Sequence, residues 1–254
     1  MTRLCTAIAL AAGVAVVAAG AAAGGFAYAG TVAPPAGVYF QDDGHIAGWD
    51  NKNPKPQKKG VIRDVASPAY KGNSAIETQQ TYISSDGKNY HTETVHAHAQ
   101  SMNQDRYYGQ AVYVKPDWKV HSQPVTFQQF SPENPGGPWL LFEFKGDEIT
   151  YSTQKTGYRT VGNFSSLRGT WIRLVVRINM KKSGGVLEVW LNGRKVVSDK
   201  DNAAPPKGTT LRWSSGIYPN YWDTEAPKGD RVLSVFHDQA RIASTYDLAE
   251  PANW

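Results

Sequence analysis

Trp171-Ile-Arg-Leu-Val-Val-Arg-Ile178 and Val186-Leu-Glu-Val-Trp-Leu191-Asn192-Gly193-Arg194-Lys-Val-Val197 decide the class of fold. In the first run Ile172, Leu174, Val176 and Ile178 alternate with Arg173, Val175 and Arg177. A period of two places alternate side chains on opposite sides of a strand, so this is a sheet segment with one apolar face. In the second run Leu187, Val189 and Leu191 repeat the pattern before Asn192-Gly193. Both Asn and Gly tolerate positive φ, which a two-residue hairpin turn requires.

Working outward, Trp139-Leu-Leu-Phe-Glu-Phe144, Lys145-Gly-Asp147 and Glu148-Ile-Thr-Tyr151 read as a second hairpin. Tyr107 to Val114, Pro124 to Phe130 and Arg231 to His237 read as further strands. Long amphipathic helix patterns are absent. Many short strands in one chain imply an all-β sandwich of two antiparallel sheets, a jelly roll whose one curved sheet offers a concave groove. The apolar members, Ile172, Leu174, Val176, Leu187, Val189 and Leu191, are expected between the sheets. Burial of each large one stabilises by roughly 1.5–3 kcal/mol. Residues 51–60, 131–138 and 199–208 read as exposed loops, and no interior linker divides the chain.

Residues 1–29 read as a secretory signal: Arg3 supplies the basic start, Leu4 to Ala23 the apolar stretch and Ala27-Tyr28-Ala29 the cleavage site. The expected mature chain, residues 30–254, is one secreted domain of about 225 residues. The only cysteine is Cys5, inside the signal, so the mature chain holds no disulfide, thiolate metal ligand or cysteine nucleophile. The formal charge of +5, with 8 Trp and 13 Tyr, suits an acidic polysaccharide. The basic residues are scattered and form no stripe, which argues against nucleic acid. No stretch beyond the signal is long and apolar enough to span a membrane. The expected state is a monomer.

Three segments carry candidate chemistry: Asn89-Tyr90-His91-Thr92-Glu93-Thr94, Val125-Thr-Phe-Gln-Gln-Phe130, and Ser215-Gly-Ile-Tyr-Pro-Asn-Tyr-Trp222. From about Arg63 to the C-terminus their order resembles the glucuronan lyases (polysaccharide lyase family 20), relatives of heparin lyase I and the jelly-roll alginate lyases. The most recognisable parts are Gly169-Thr-Trp171, Leu187-Glu-Val-Trp-Leu-Asn-Gly193 and Gly216-Ile-Tyr218. The Trp-Leu-Asn-Gly hairpin is shared by many lectin-like sandwiches and speaks for the fold; Gly-Ile-Tyr, late in the chain, speaks for the activity. The resemblance implies that Gln129, His91 and Tyr218 face one cleft and cleave a glucuronan-like polyuronate by β-elimination. The heparin and alginate lyases usually carry Lys four residues before that Tyr; Ser214 stands there, which removes one cation.

The residue types suit that chemistry. The proton α to a uronate carboxylate is barely acidic until the carboxylate is neutralised or hydrogen-bonded. Gln129 offers two N–H donors, and His91 offers a donor or a charge. Tyr218 is the expected acid, and the base as well in a syn geometry. A free Tyr has a pKa of about 10, so the cations nearest in sequence, Arg212, Lys228 and Arg231, are expected to lower it and to bind substrate. Trp139, Tyr221 and Trp222 are expected to stack on sugar rings.

Rival readings stay open at this level. Gln128 competes with Gln129, because alternation sends only one to the cleft, and Tyr221 competes with Tyr218. Glu93 shares His91's face and is expected to buttress it. His96-Ala-His98 would put two imidazoles on one side of a strand, but a metal site lacks a third ligand. No cofactor is expected, although a structural calcium is compatible with the fold class; the metal ligands are unassigned. A glycoside hydrolase would need two carboxylates roughly 5–10 Å apart, yet Glu143 and Glu188 stand alone in their strands. No Gly-x-Ser-x-Gly elbow is present. A non-catalytic sugar-binding module is the alternative from another class.

Overall fold

The computed structural model describes residues 34–54, 59–84, 88–119, 122–133, 137–181, 183–200 and 210–254. The signal segment, residues 1–29, lies outside the described residues. The strands in chain order begin with β1 (Val38–Asp42), β2 (Asn51–Pro54), β3 (Gly60–Val65), β4 (Ala75–Thr81), β5 (Thr92–Gln100) and β6 (Asp105–Tyr113). They continue with β7 (Val125–Pro132), β8 (Leu140–Lys145), β9 (Glu148–Thr153), β10 (Arg159–Asn163) and β11 (Trp171–Asn179). The last are β12 (Val186–Leu191), β13 (Arg194–Lys200), β14 (Leu211–Tyr218) and β15 (Val232–Ala243).

They form two sheets, paired antiparallel throughout. The back sheet runs β13-β12-β11-β6-β15-β4-β3, with β1 on the second half of β15. The front sheet runs β10-β9-β8-β7-β14-β5-β2. The expected inter-sheet residues Ile172, Leu174, Val176, Leu187, Val189 and Leu191 are all in the core. The β12–β13 turn has φ of 50° at Asn192 and 85° at Gly193, the double positive φ expected of Asn-Gly. β8 and β9 form the second expected hairpin.

The loop reading of residues 51–60 needs correction, because Asn51–Pro54 pairs with β5 as an edge strand. An edge strand needs no apolar alternation, and its open side tolerates Pro and Lys, so the composition hid it. Ser131 and Pro132 likewise continue β7, and Asp199 and Lys200 continue β13.

A polar seam crosses the core behind β14. Gln110 of β6 donates to Gln128 at 2.7 Å and accepts from Ser215 at 2.8 Å. Thr94 of β5 meets His237 of β15 at 3.1 Å. These bonds tie the centres of the two sheets in one register, although Gln128 Nε2 and His237 Nδ1 are buried without a partner.

Candidate active site

Which side chains leave the core on the front sheet follows from those that enter it. In β14 Leu211, Trp213 and Ile217 are core residues and Ser215 reaches Gln110, so Arg212, Ser214 and Tyr218 point outward. In β5 Thr92 and Thr94 bond to Gln80 and His237 of the back sheet, which turns Glu93, and His91 just before the strand, outward. In β7 Gln128 is held inside by Gln110 and Phe130 lies in the core, so Gln129 and Ser131 point outward. This inward bond leaves Gln129, and not Gln128, on the outer face. An irregularity between Thr126 and Gln128 turns both Phe127 and Gln128 inward and lets Thr126 bond to the outward Glu143 of β8.

The three expected residues therefore share one face, and Glu93 joins two of them. Its Oε2 stands 3.1 Å from His91 Nδ1, and its Oε1 accepts from Gln129 Nε2 at 2.6 Å. Ser131 donates to Gln129 Oε1 at 3.0 Å, which fixes the amide orientation. The His91 and Tyr218 rings stack with centroids 3.5 Å apart. Tyr218 donates to Asp223 at 3.5 Å, while the other oxygen of Asp223 accepts from Asn89 N at 2.7 Å. Gly216 permits the stack: a Cβ there would press into the Thr92 carbonyl oxygen and stand 2.7 Å from Glu93 Cα. Any larger residue would push β14 off β5 and separate Tyr218 from His91.

The Glu93 carboxylate only accepts, so the proton between the pair sits on His91 Nδ1 and leaves Nε2 as the open lone pair. Tyr218 is pushed up to about 12, first by burial and then by Asp223 and Glu93. This corrects the expectation that Arg212, Lys228 and Arg231 lower it. Asp223 lies within hydrogen-bond reach of the hydroxyl, and both burial and negative charge disfavour a phenolate. Tyr218 thus stands protonated at neutral pH.

Of the expected substrate-binding residues, Arg212 is exposed on this face, in register with Ser131. Tyr221 is exposed on the turn that follows β14. The others lie elsewhere. Lys228 pairs with Glu225 at 3.5 Å in the loop before β15. Arg231 covers Tyr82 and lines a separate cleft of about 530 Å³ with Lys115, Gln79 and Ser234. Trp139 and Trp222 are 2% and 3% exposed and belong to the core, so neither offers a sugar a ring face. Trp139 enters at the start of β8 beside core Phe130, and Trp222 packs edge-on against Tyr82 and Tyr90.

His96 and His98 do not act together: His96 packs on Phe40 and faces Asp50, whereas His98 faces Glu133. Among the described residues no three His, Cys, Asp or Glu side chains gather as a metal site. Glu143 is fully buried on the same face, and burial pushes its carboxyl up to about 7. Among the described residues both Glu93 oxygens are hydrogen-bonded, Glu143 is covered and Asp223 holds Tyr218 and Asn89, an arrangement unlike the free carboxylate pair of a glycosidase.

Sequence reasoning missed Ser131, Asp223 and Glu143 as parts of this face. The first two follow Gln129 by two residues and Tyr218 by five, but nothing in their local pattern marks them.

The polysaccharide lyase family matches residues 41–241 of the chain. Comparison with curated protein sequences finds no match. Among solved structures, the endo-β-1,4-glucuronan lyase of the fungus Trichoderma reesei superposes with a TM-score of 0.77 at 23% identity, covering 85% of this chain and 100% of that one. The cellulose-induced protein Cip1 gives 0.56 at 18% identity, over 82% of this chain and 98% of the other. The alginate lyase Aly36B gives 0.50 at 12%, over 81% and 93%. At these identities the superpositions establish the jelly-roll fold, while the family match spans most of the strands described above. The chain belongs to the polysaccharide lyase family and is a carbon–oxygen lyase acting on a polysaccharide.

Proposed function

We propose that the protein is a secreted lyase that cleaves a glucuronan-like, uronate-containing polysaccharide by β-elimination on the face formed by His91, Glu93, Gln129 and Tyr218. The observation that carries this reading is the bonded chain His91–Glu93–Gln129 beside the stacked, protonated Tyr218. Gln129 spends one N–H on Glu93 and keeps the other for the uronate carboxylate, with the Arg212 guanidinium on the same face. Neutralising that carboxylate stabilises the enolate-like charge. His91 Nε2 accepts the proton α to the carboxyl, and the imidazolium so formed is held by Glu93. The electron pair of the broken C–H bond becomes the new carbon–carbon double bond. The glycosidic oxygen leaves with its bonding pair and takes the proton of Tyr218. Return of the proton from His91 to Tyr218 resets the site. All of these steps use side chains only.

A neutral glycan has no carboxyl to acidify the proton and gives no reaction. The glucuronan preference rests on the T. reesei enzyme as a fold relative and on the sequence resemblance. Secretion rests on residues 1–29, with the mature chain starting near Gly30. The deciding experiment incubates the mature protein with glucuronan, alginate, heparin-like chains and a neutral glucan while following the ultraviolet absorbance of the unsaturated product. Absorbance growth with glucuronan supports the reading; no growth with any polyuronate refutes it.

A further inference from the structure

Beside the catalytic groups lies a second set of side chains that the reaction above does not use. Lys145 closes β8 on the outward side, because Leu140, Phe142 and Phe144 of the same strand enter the core. Its ammonium lies 3.6 Å from the centroid of the Tyr158 ring. Tyr158, just before β10, is 44% exposed, and Tyr221, after β14, is 37% exposed. These are two of the few large apolar side chains left in solvent among the described residues. The turn that carries Tyr221 packs against β7, the strand beside β8, and burial, then Glu143, then Tyr221 push the Tyr158 hydroxyl up to about 12. Glu143 also bears on Tyr218, so the set adjoins the site. The register runs Tyr218, Thr126, Glu143 across β14, β7 and β8.

The charge arrangement matters as much as the rings. Lys145 makes no ion pair among the described residues. Glu148 stands opposite it in the β8–β9 register without an ion pair between them, and Glu143, two residues back on the same face, is buried with its carboxyl pushed up to about 7. The ammonium therefore rests on an aromatic face and not on a carboxylate. A cation–π contact at an exposed site is weak, about 0.5–1 kcal/mol, and Lys is a flexible, rotatable point charge. It is free to leave the ring for a carboxylate.

We propose that Lys145, Tyr158 and Tyr221 form a neighbouring sugar position that takes a second uronate of the chain, its ring against the tyrosines and its carboxylate on the Lys145 ammonium. This rests on the uronate-lyase reading of the adjacent site. It also explains how a protein with Ser214 on the strand regains a cation for a polyanionic substrate, from β8 instead of β14. A merely structural Lys145 would shield Tyr158 and leave substrate affinity untouched.

The test compares wild type with Lys145→Met, which keeps the stem and loses the charge, and with Tyr158→Ala, using glucuronan and its shortest cleavable oligomer. Lys145→Met is expected to raise KM for the polymer about tenfold, with a much smaller effect on the oligomer and a flatter dependence of KM on salt. Tyr158→Ala is expected to raise KM for the polymer in both low and high salt. Melting curves establish that both variants fold. Polymer KM values equal to wild type in both variants overturn the proposal. If wild type cleaves no polyuronate, the lyase reading fails on that arm, and calorimetric titration with oligoglucuronate judges this position separately. Weaker binding by Lys145→Met supports it, whereas equal binding, or none by either protein, overturns it.

Discussion

Replacing Glu93 with Gln tests the reaction scheme at its centre. The carboxylate accepts from His91 Nδ1 on one oxygen and from Gln129 Nε2 on the other. An amide of the same shape has one acceptor and one donor, so one of these bonds must fail. If the new NH₂ faces His91, the imidazole accepts at Nδ1 and carries its proton on Nε2, where the lone pair was needed. If it faces Gln129, two NH₂ groups oppose each other, and Gln129 must turn away from Ser131. The charge is lost in either case. An imidazolium and a carboxylate about 4 Å apart attract by about 4 kcal/mol at an effective dielectric of about 20. Part of that is returned because a buried carboxylate no longer has to be desolvated. A net loss of about 3 kcal/mol in the transition state lowers kcat by about 10²-fold. Loss of hydrogen bonds to a charged group costs stability as well, at about 1.5–3 kcal/mol each before that offset. The assay measures kcat from initial ultraviolet absorbance across pH, with melting temperature measured in parallel. Loss of kcat at saturating substrate in a fully folded variant, with a displaced pH profile, is the expected result. Wild-type kcat and an unchanged profile would refute the tautomer argument, and a lowered melting point alone would reduce Glu93 to a structural residue.

Tyr218→Phe removes only the hydroxyl and keeps the ring on His91, so turnover should fall by roughly 10²–10⁴-fold with the circular dichroism spectrum unchanged. Full activity would move the acid role to Tyr221. Gly216→Ala places a methyl against Thr92 and Glu93, and overpacking of this kind costs about 1–3 kcal/mol; both melting temperature and turnover should drop. Burial pushes the Glu143 carboxyl in the folded protein up to about 7 from its ordinary value of 4.5. The folded state binds the proton more tightly, so its contribution is fully present below pH 4.5, declines from there to about 7 and stays lost above. The difference is about 3 kcal/mol. Glu143→Gln should therefore gain stability over wild type as pH rises from 5 to 8, and an advantage that shrinks over that interval would contradict the assignment.

Much of this molecule was legible without coordinates. The alternation from Trp171 to Ile178 and the Asn192-Gly193 turn specify strands and a hairpin through purely local geometry. They required a sandwich core of Ile172, Leu174, Val176, Leu187, Val189 and Leu191. The placement of His91, Gln129 and Tyr218 on one face came from the family resemblance, and the front sheet brings them together. Other decisions were out of reach of a period of two. Gln129 instead of Gln128 faces out because Gln110, on the other sheet, holds Gln128 inside. The irregularity between Thr126 and Gln128 breaks the simple alternation. Trp139 and Trp222 went to the core, since aromatic composition does not say which side of a sheet a ring takes. The acidity of Tyr218 runs opposite to the sequence expectation, because burial and acidic groups, not the sequence neighbours Arg212 and Lys228, act on its hydroxyl. Asp223 and Glu93 reach the hydroxyl through a turn and an adjacent strand. Pattern along the chain determines which residues form strands and which faces they offer. Pairing between strands decides which charges meet, and electrostatic energy depends on distance in space, which sequence separation does not measure.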